Sequence, residues 1–184
     1  YAAGNGSLMR LAPIPMYYVQ DLSDVIRYSG ESSRTTHGAK EAVDACRLFG
    51  AMVAFALRGG SKEDVLFHSH TSAVSAEELA PAIGEIAAGH YRDKRPEQIR
   101  GSGYVVASLE AALWCFLHTA SFREAILRAA NLGDDADTTA AVCGQIAGAY
   151  YGVEGIPKGW LARLAKREFI ESMAAQLYER RALS

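Results

Sequence analysis

Residues Asp137 to Tyr151 read DTTAAVCGQIAGAYY, a stretch almost free of side chains that demand water. Its Ala140, Gly144 and Gly148 recur at four-residue spacing, which places them on one side of an α-helix. A ridge of small residues lets a second helix backbone come close. The stretch therefore predicts a helix at the centre of a helical domain.

The flanking segments keep the same period. From Gly38 to Leu57, Ala42, Cys46, Phe49, Val53 and Ala56 form one face of a long helix, and Gly59-Gly60 ends it. Ser61 with Asp64 resembles a capping box and opens a short helix through about Phe67. Glu77 to Ala88 and the strongly apolar Tyr104 to His118 are further helices, with a short turn at Pro96 to Ile99 between them. Ser121 with Glu124 is another capping box, and its helix runs to Asn131 and stops at Gly133. Tyr1 to Val19, with Pro13 and Pro15, reads as a loop and a short helix start, and Ile156-Pro157 begins a last amphipathic portion through Arg181. The expectation is an all-α, compact domain over residues 1–184, with about nine helices and no period-2 strand.

At 184 residues and 49% hydrophobic, the chain can bury one substantial core. Nineteen basic against 21 acidic residues leave a formal charge of -2, with no basic excess to neutralise a phosphate backbone, so nucleic acid is not an expected partner. Cys46, Cys115 and Cys143 lie in apolar helical patterns without CxxC spacing and read as reduced core residues. No apolar run reaches membrane-spanning length and the start lacks a signal-peptide layout, so the expectation is no membrane contact and a cytoplasmic protein. Residue 1 is Tyr and the chain opens directly into a Gly-rich loop, which reads as a cut N-terminus.

Just before the central helix, Asn131 to Thr139 read NLGDDADTT, placing Asp134, Asp135, Asp137, Thr138 and Thr139 within six residues. One side-chain oxygen at a helix start is ordinary capping, worth about 1 kcal/mol. Three carboxylates exceed that need, and each close pair repels by about 1 kcal/mol even in water. Asp135, Asp137 and Thr138 offer only oxygen, which suits Mg²⁺, Mn²⁺ or Ca²⁺ better than zinc. An EF-hand is excluded: counting Asp135 as position 1, Ala140 stands where glycine belongs and Ile146 where glutamate belongs. An over-capped helix and a metal site both remain open on spacing alone.

Two further runs are candidates. Gly4-Asn5-Gly6-Ser7 can bring backbone close to an anion, yet it lacks the Lys-Ser/Thr of a Walker loop and the third glycine of a dinucleotide fingerprint. Ser33 to His37, SRTTH, precedes the long helix, so His37 could meet a diphosphate or sugar hydroxyl, or Ser33 or Thr36 could simply cap. His68 and His70 lack further zinc ligands, His90 and His118 have no partner pattern, and no Gly-x-Ser-x-Gly elbow occurs.

Taken together, GNGSLMRLAPIP, SRTTHGAKEAVDACRLFG, GSGYVVASLEAALWCFLHT and NLGDDADTTAAVCGQIAGAYYG resemble, in order, segments of the ADP-ribosylglycohydrolase family, with a weaker match around Ser69 to Arg95. The resemblance implies an orthogonally packed all-α domain and a binuclear Mg²⁺ or Mn²⁺ centre beneath an ADP-ribose cleft. It implies hydrolysis of the glycosidic bond between ADP-ribose and an acceptor side chain, with arginine expected. Carried over by residue, Asp135, Asp137 and Thr138 are the expected metal ligands, with Asp135 and Asp137 catalytic. Asp134 takes a place where relatives can have glycine. Asn5, Gly6, Ser7 and His37 are the expected substrate contacts.

In the family, the other ligands come from a Thr-Asp-Asp motif and a Gly-Asp segment upstream of the Gly-Asn-Gly loop. The chain opens after both, so it reads as a C-terminal portion, inactive alone, whose partners are ADP-ribose or an ADP-ribosylated protein and a complementary N-terminal segment or chain. A non-catalytic ADP-ribose reader or crystallin-like structural relative is the alternative.

Overall fold

The computed structural model describes residues 3–69 and 78–181, with no side-chain description at 181. Nine α-helices occur among them: α1 Pro13–Tyr17, α2 Leu22–Arg34, α3 Lys40–Leu57, α4 Pro81–Ala87, α5 Val105–Leu117, α6 Phe122–Ala130, α7 Ala136–Tyr151, α8 Lys158–Leu161 and α9 Arg167–Arg181. Among the described residues no strand forms, and pairing is confined to a single antiparallel bridge between Gly4 and Tyr104.

α3 is the most buried helix. Thirteen of its eighteen residues are buried, against five of sixteen in α7, so α3 and not α7 is the axis of the core. The reason is packing: α3 lies against α1, α2, α4, α5 and α7. The small-residue ridge of α7 meets α6 instead. A Cβ added at Gly144 would stand 3.6 Å from Ile126 Cδ1, and one at Gly148 would stand 3.9 Å from Phe122 Cε2.

α2 is a helix that the apolar period did not signal. Asp21 caps it, its Oδ1 accepting from Ser23 N at 2.8 Å and Asp24 N at 3.1 Å. The face it buries carries Val25 and Ile26 but also Ser29, Gly30 and Ser33, so period-3.6 counting of apolar residues undercounts it. Ser33 and Arg34 therefore close α2 rather than precede α3, and His37 sits in the short connection between the two helices.

Three other boundaries differ from the sequence reading. The turn after Ser61 is a wide π-helical segment, Asp64–His68, with Ser61 Oγ accepting from Asp64 N at 3.1 Å. α4 starts at Pro81, and Glu77 and His70 lie outside the described residues. The last portion is two helices, broken where Lys166 adopts a left-handed φ of 57°. Cys46, Cys115 and Cys143 are buried free thiols, and burial pushes Cys115 up to about 12. No described helix is long and apolar enough to cross a membrane.

Candidate functional site

The acidic loop is built by left-handed backbone. Gly133 has φ 79° and Asp134 φ 50°, a region natural for glycine and tolerated by aspartate. The two residues reverse the chain so that α7 begins at once, Thr139 N bonding to Asp135 O at 3.0 Å.

Asp135 does not cap this helix: it makes no capping bond to the N-terminal amides. Its carboxylate turns instead to the first loop of the chain, where Asn5 Nδ2 donates to Asp135 Oδ2 at 2.6 Å. Hydrogen bonding from Asn5 is the main cause that holds the Asp135 carboxyl below the usual range, with burial opposing it and Thr138 adding to it. Asp137 Oδ1 accepts from Thr138 N at 2.9 Å and remains exposed.

Asn5 is itself buried and shared. Its amide also approaches Ser102 O at 3.1 Å and Ser108 Oγ at 3.3 Å. Asn5 N donates to Gly103 O at 3.1 Å and Val105 N to Ala3 O at 2.9 Å, zipping the first loop to Gly101-Ser102-Gly103. Gly101 has no room for a side chain, since a Cβ would stand 2.9 Å from Thr139 Oγ1 and 3.3 Å from Gly133 O. Three loops far apart in sequence thus meet at the Asn5–Asp135 bond.

His37 closes the other side. A Cβ on Gly6 would lie 2.8 Å from His37 Cε1 and one on Gly4 3.4 Å from Nε2, so the imidazole packs directly on the Gly-Asn-Gly turn. His37 Nδ1 pairs with Thr36 Oγ1 at 2.8 Å. Arg10 reaches back to the end of α2, donating to Ser32 O at 3.1 Å, Thr36 Oγ1 at 2.8 Å and Thr35 Oγ1 at 3.2 Å. Gln145 of α7 donates to Leu8 O at 3.0 Å and Met9 O at 3.1 Å.

The structure thus brings Asn5, Gly6, His37, Asp135, Asp137 and Thr138 to one side of the molecule through these contacts. Ser7 differs from the sequence expectation. Its side chain is fully buried under the loop, facing Ser33 and Cys46, where it supports the turn rather than facing a ligand. Arg10, Gln145 and the Gly101–Gly103 loop were not singled out by sequence. The Gly-Ser-Gly before an apolar helix and the Arg ending GNGSLMR were the available signals.

Metal-ligand chemistry is met in part. Asp135, Asp137 and Thr138 supply hard oxygen donors at one turn, but among the described residues no three His, Cys, Asp or Glu side chains converge. His68 lies near Asp64, His90 pairs with Glu85, and His118 meets Arg92 O, so none joins the acidic turn.

A family model for ADP-ribosylglycohydrolase matches residues 2–184. The chain is 45% identical to the ADP-ribosylarginine hydrolase Tri1 of Pseudomonas putida (strain GB-1), over 97% of this chain and 46% of that protein. It is 41% identical to Tri1 of Serratia proteamaculans (strain 568), over 96% and 46% respectively. It is 30% identical to the ADP-ribosyl-[dinitrogen reductase] glycohydrolase of Rhodospirillum rubrum, over 88% and 51%. A solved structure described as an ADP-ribosylglycohydrolase-related protein complex superposes with a TM-score of 0.87 at 41% identity, covering 97% of this chain and 60% of that one. The chain spans about half the length of the curated relatives it matches.

Proposed function

Because the chain belongs to the ADP-ribosylglycohydrolase family, we propose that it carries one half of a site that hydrolyses the glycosidic bond between ADP-ribose and an acceptor side chain, with arginine the acceptor. The observation that supports this most directly is the 2.6 Å bond from Asn5 to Asp135. It fastens the Gly-Asn-Gly turn to the acidic turn and leaves the Asp137 carboxylate exposed next to it. A helix needs no such arrangement for capping.

In this reading the diphosphate lies beside the Gly4–Gly6 turn and His37, the absent side chains being what lets the imidazole seat on the turn. Asp135, Asp137 and Thr138 would hold Mg²⁺ or Mn²⁺, and the remaining ligands come from outside the described residues. Such a cation supplies charge to orient ribose hydroxyls and a water at the anomeric carbon. The chain's own part is geometric: Asn5 aims the Asp135 carboxylate and favours its ionised form, while Arg10 and Gln145 hold the turn on α2 and α7. The partner is ADP-ribose or an ADP-ribosylated protein, acting in the cytoplasm.

The test is calorimetric titration of ADP-ribose into the longest form of the protein, with Mn²⁺ or chelator, alongside Asp137→Ala. Binding that needs both metal and Asp137 supports the hydrolase. Binding that ignores both indicates a reader of ADP-ribose, and no binding leaves a structural relative.

A further inference from the structure

Ser29 and Ser33 stand one turn apart on α2, and both are fully buried, yet only one is put to use. Ser29 Oγ has no hydrogen-bond partner among the described residues and faces Gly50, where an added Cβ would be 2.3 Å from it. Ser33 is bonded on two sides. Its hydroxyl donates to His37 O at 2.9 Å and lies 2.9 Å from Ser7 Oγ. With the Ser33 proton on His37 O, the Ser7 proton points to Ser33, and the Cys46 thiol at 3.5 Å supplies Ser7.

These contacts hold both halves of one surface. His37 N also donates to Ser33 O at 2.7 Å, so residue 33 grips His37 by its amide and its carbonyl. Ser7 is the neighbour of Gly6, whose backbone the His37 ring covers. A drift of either partner would separate the ring from the turn.

Resting on the reading that this turn and His37 receive ADP-ribose, we propose that Ser33 is a positioning residue that fixes the register of His37 on the Gly4–Gly6 turn through Ser7. Packing alone does not call for a hydroxyl at 33, because an alanine there would occupy nearly the same volume on the buried face of α2. Two buried hydroxyls are costly unless joined, and here they are joined to each other and to the two segments that must stay together.

The experiment compares Ser33→Ala with Ser29→Ala in the longest form of the protein, by the ring resonances of His37 in a ¹³C–¹H correlation spectrum and by calorimetric ADP-ribose affinity. Ser33→Ala is expected to move the His37 resonances and weaken ADP-ribose roughly tenfold, the scale on which outer hydrogen bonds act on the groups they orient. Ser29→Ala is expected to change neither. Ser7→Ala should reproduce the effect, and the Ser7→Ala/Ser33→Ala pair should be no worse than Ser33→Ala alone, because one relay is broken once. If Ser33→Ala does not fold, Ser7→Ala decides in its place. Resonances and affinity that match Ser29→Ala overturn the inference. If the unaltered protein does not bind ADP-ribose, the functional reading falls, and the His37 resonances alone decide the positioning role.

Discussion

Asn5 and Asp135 lie 130 positions apart and are joined by a 2.6 Å hydrogen bond that favours the ionised form of the Asp135 carboxyl. The bond to Asn5 is the largest cause lowering the Asp135 pKa. A depressed carboxyl contributes stability above its unfolded value, and that contribution is lost as pH falls through the folded value. Asn5→Ala should therefore return the Asp135 titration toward the ordinary carboxylate range, measured by ¹³C carboxyl shifts. It should also flatten the acid side of the stability profile relative to the unaltered protein. An unchanged Asp135 titration would show that the bond is not formed in solution.

Gly6 is the position where a single methyl group tests the surface. A Cβ there would meet His37 Cε1 at 2.8 Å and Nε2 at 2.9 Å, so Gly6→Ala must push the ring aside. Because the ring is half-buried at an edge, the expected loss is in ADP-ribose affinity, about ten- to a hundredfold, with little change in thermal midpoint. In a His37→Ala background the same methyl group has room, so Gly6→Ala should then cost little further affinity. Additive losses would place the ring elsewhere.

The elements that sequence made legible are those whose burial is apolar. α3 and α5 show their helical period directly, and Ser121 announces α6 by the capping bond it accepts from Glu124 N at 3.2 Å. α2 stayed hidden because Ser29, Gly30 and Ser33 occupy its inner face, where small polar residues serve close approach and hydrogen bonding. Motif resemblance grouped Asp135, Asp137, Asn5 and His37, and the contacts of Asn5 with Asp135 and of His37 with the Gly4–Gly6 turn are what the structure adds. The inward placement of Ser7 was not legible, since a serine beside glycines looks the same whether it faces solvent or Cys46. The Gly101–Gly103 loop was legible as a Gly-Ser-Gly turn before an apolar helix but not in its role, which depends on bonds to Asn5 across about a hundred residues.

Asp137 is exposed and makes no long-range bond among the described residues, so its removal should not harm the fold. Asp137→Asn is expected to leave the thermal midpoint within about 2 °C. Mn²⁺ is expected to raise the thermal midpoint of the longest form of the protein, and both the same change and chelator should abolish that rise. A retained Mn²⁺ effect would assign the cation to other residues.

Gly101 should behave in the opposite way. The methyl of Gly101→Ala would fall 2.9 Å from Thr139 Oγ1 and 3.3 Å from Gly133 O, and the carbonyl belongs to backbone that cannot swing away. Overpacking of this kind typically costs about 1–3 kcal/mol. Thr139 Oγ1 is buried without a hydrogen-bond partner among the described residues, so Thr139→Val in the same protein should not itself destabilise, and Thr139→Ala should partly rescue Gly101→Ala. Thermal unfolding of the four variants decides this, and a fully stable Gly101→Ala would mean that the loop relaxes away from α7.

Lys62 separates stability from the site. Its ammonium donates to Phe116 O at 2.9 Å, Thr119 O at 2.7 Å and Tyr151 Oη at 3.0 Å, and lies 4.5 Å from the Phe116 ring centroid. It thus satisfies carbonyls at the C-terminal end of α5, where a cation is also favoured by the helix dipole. Burial lowers its pKa, yet the ionised form is what these acceptors require. α5 and α7 begin at the Gly103 and Asp135 loops, so Lys62 works at their far ends, about 20 Å away by helical rise. Lys62→Met keeps the stem packing and removes the charge, leaving Phe116 O with the longer bond from Thr119 Oγ1 at 3.3 Å and Thr119 O with the one from Tyr151 Oη at 3.4 Å. The expected cost is about 1–3 kcal/mol, or roughly 3–10 °C in thermal midpoint for a chain of this size. ADP-ribose affinity should not change, because no bond described for the acidic turn passes through Lys62. A loss of affinity without loss of stability would show instead that the two ends of α5 and α7 are coupled.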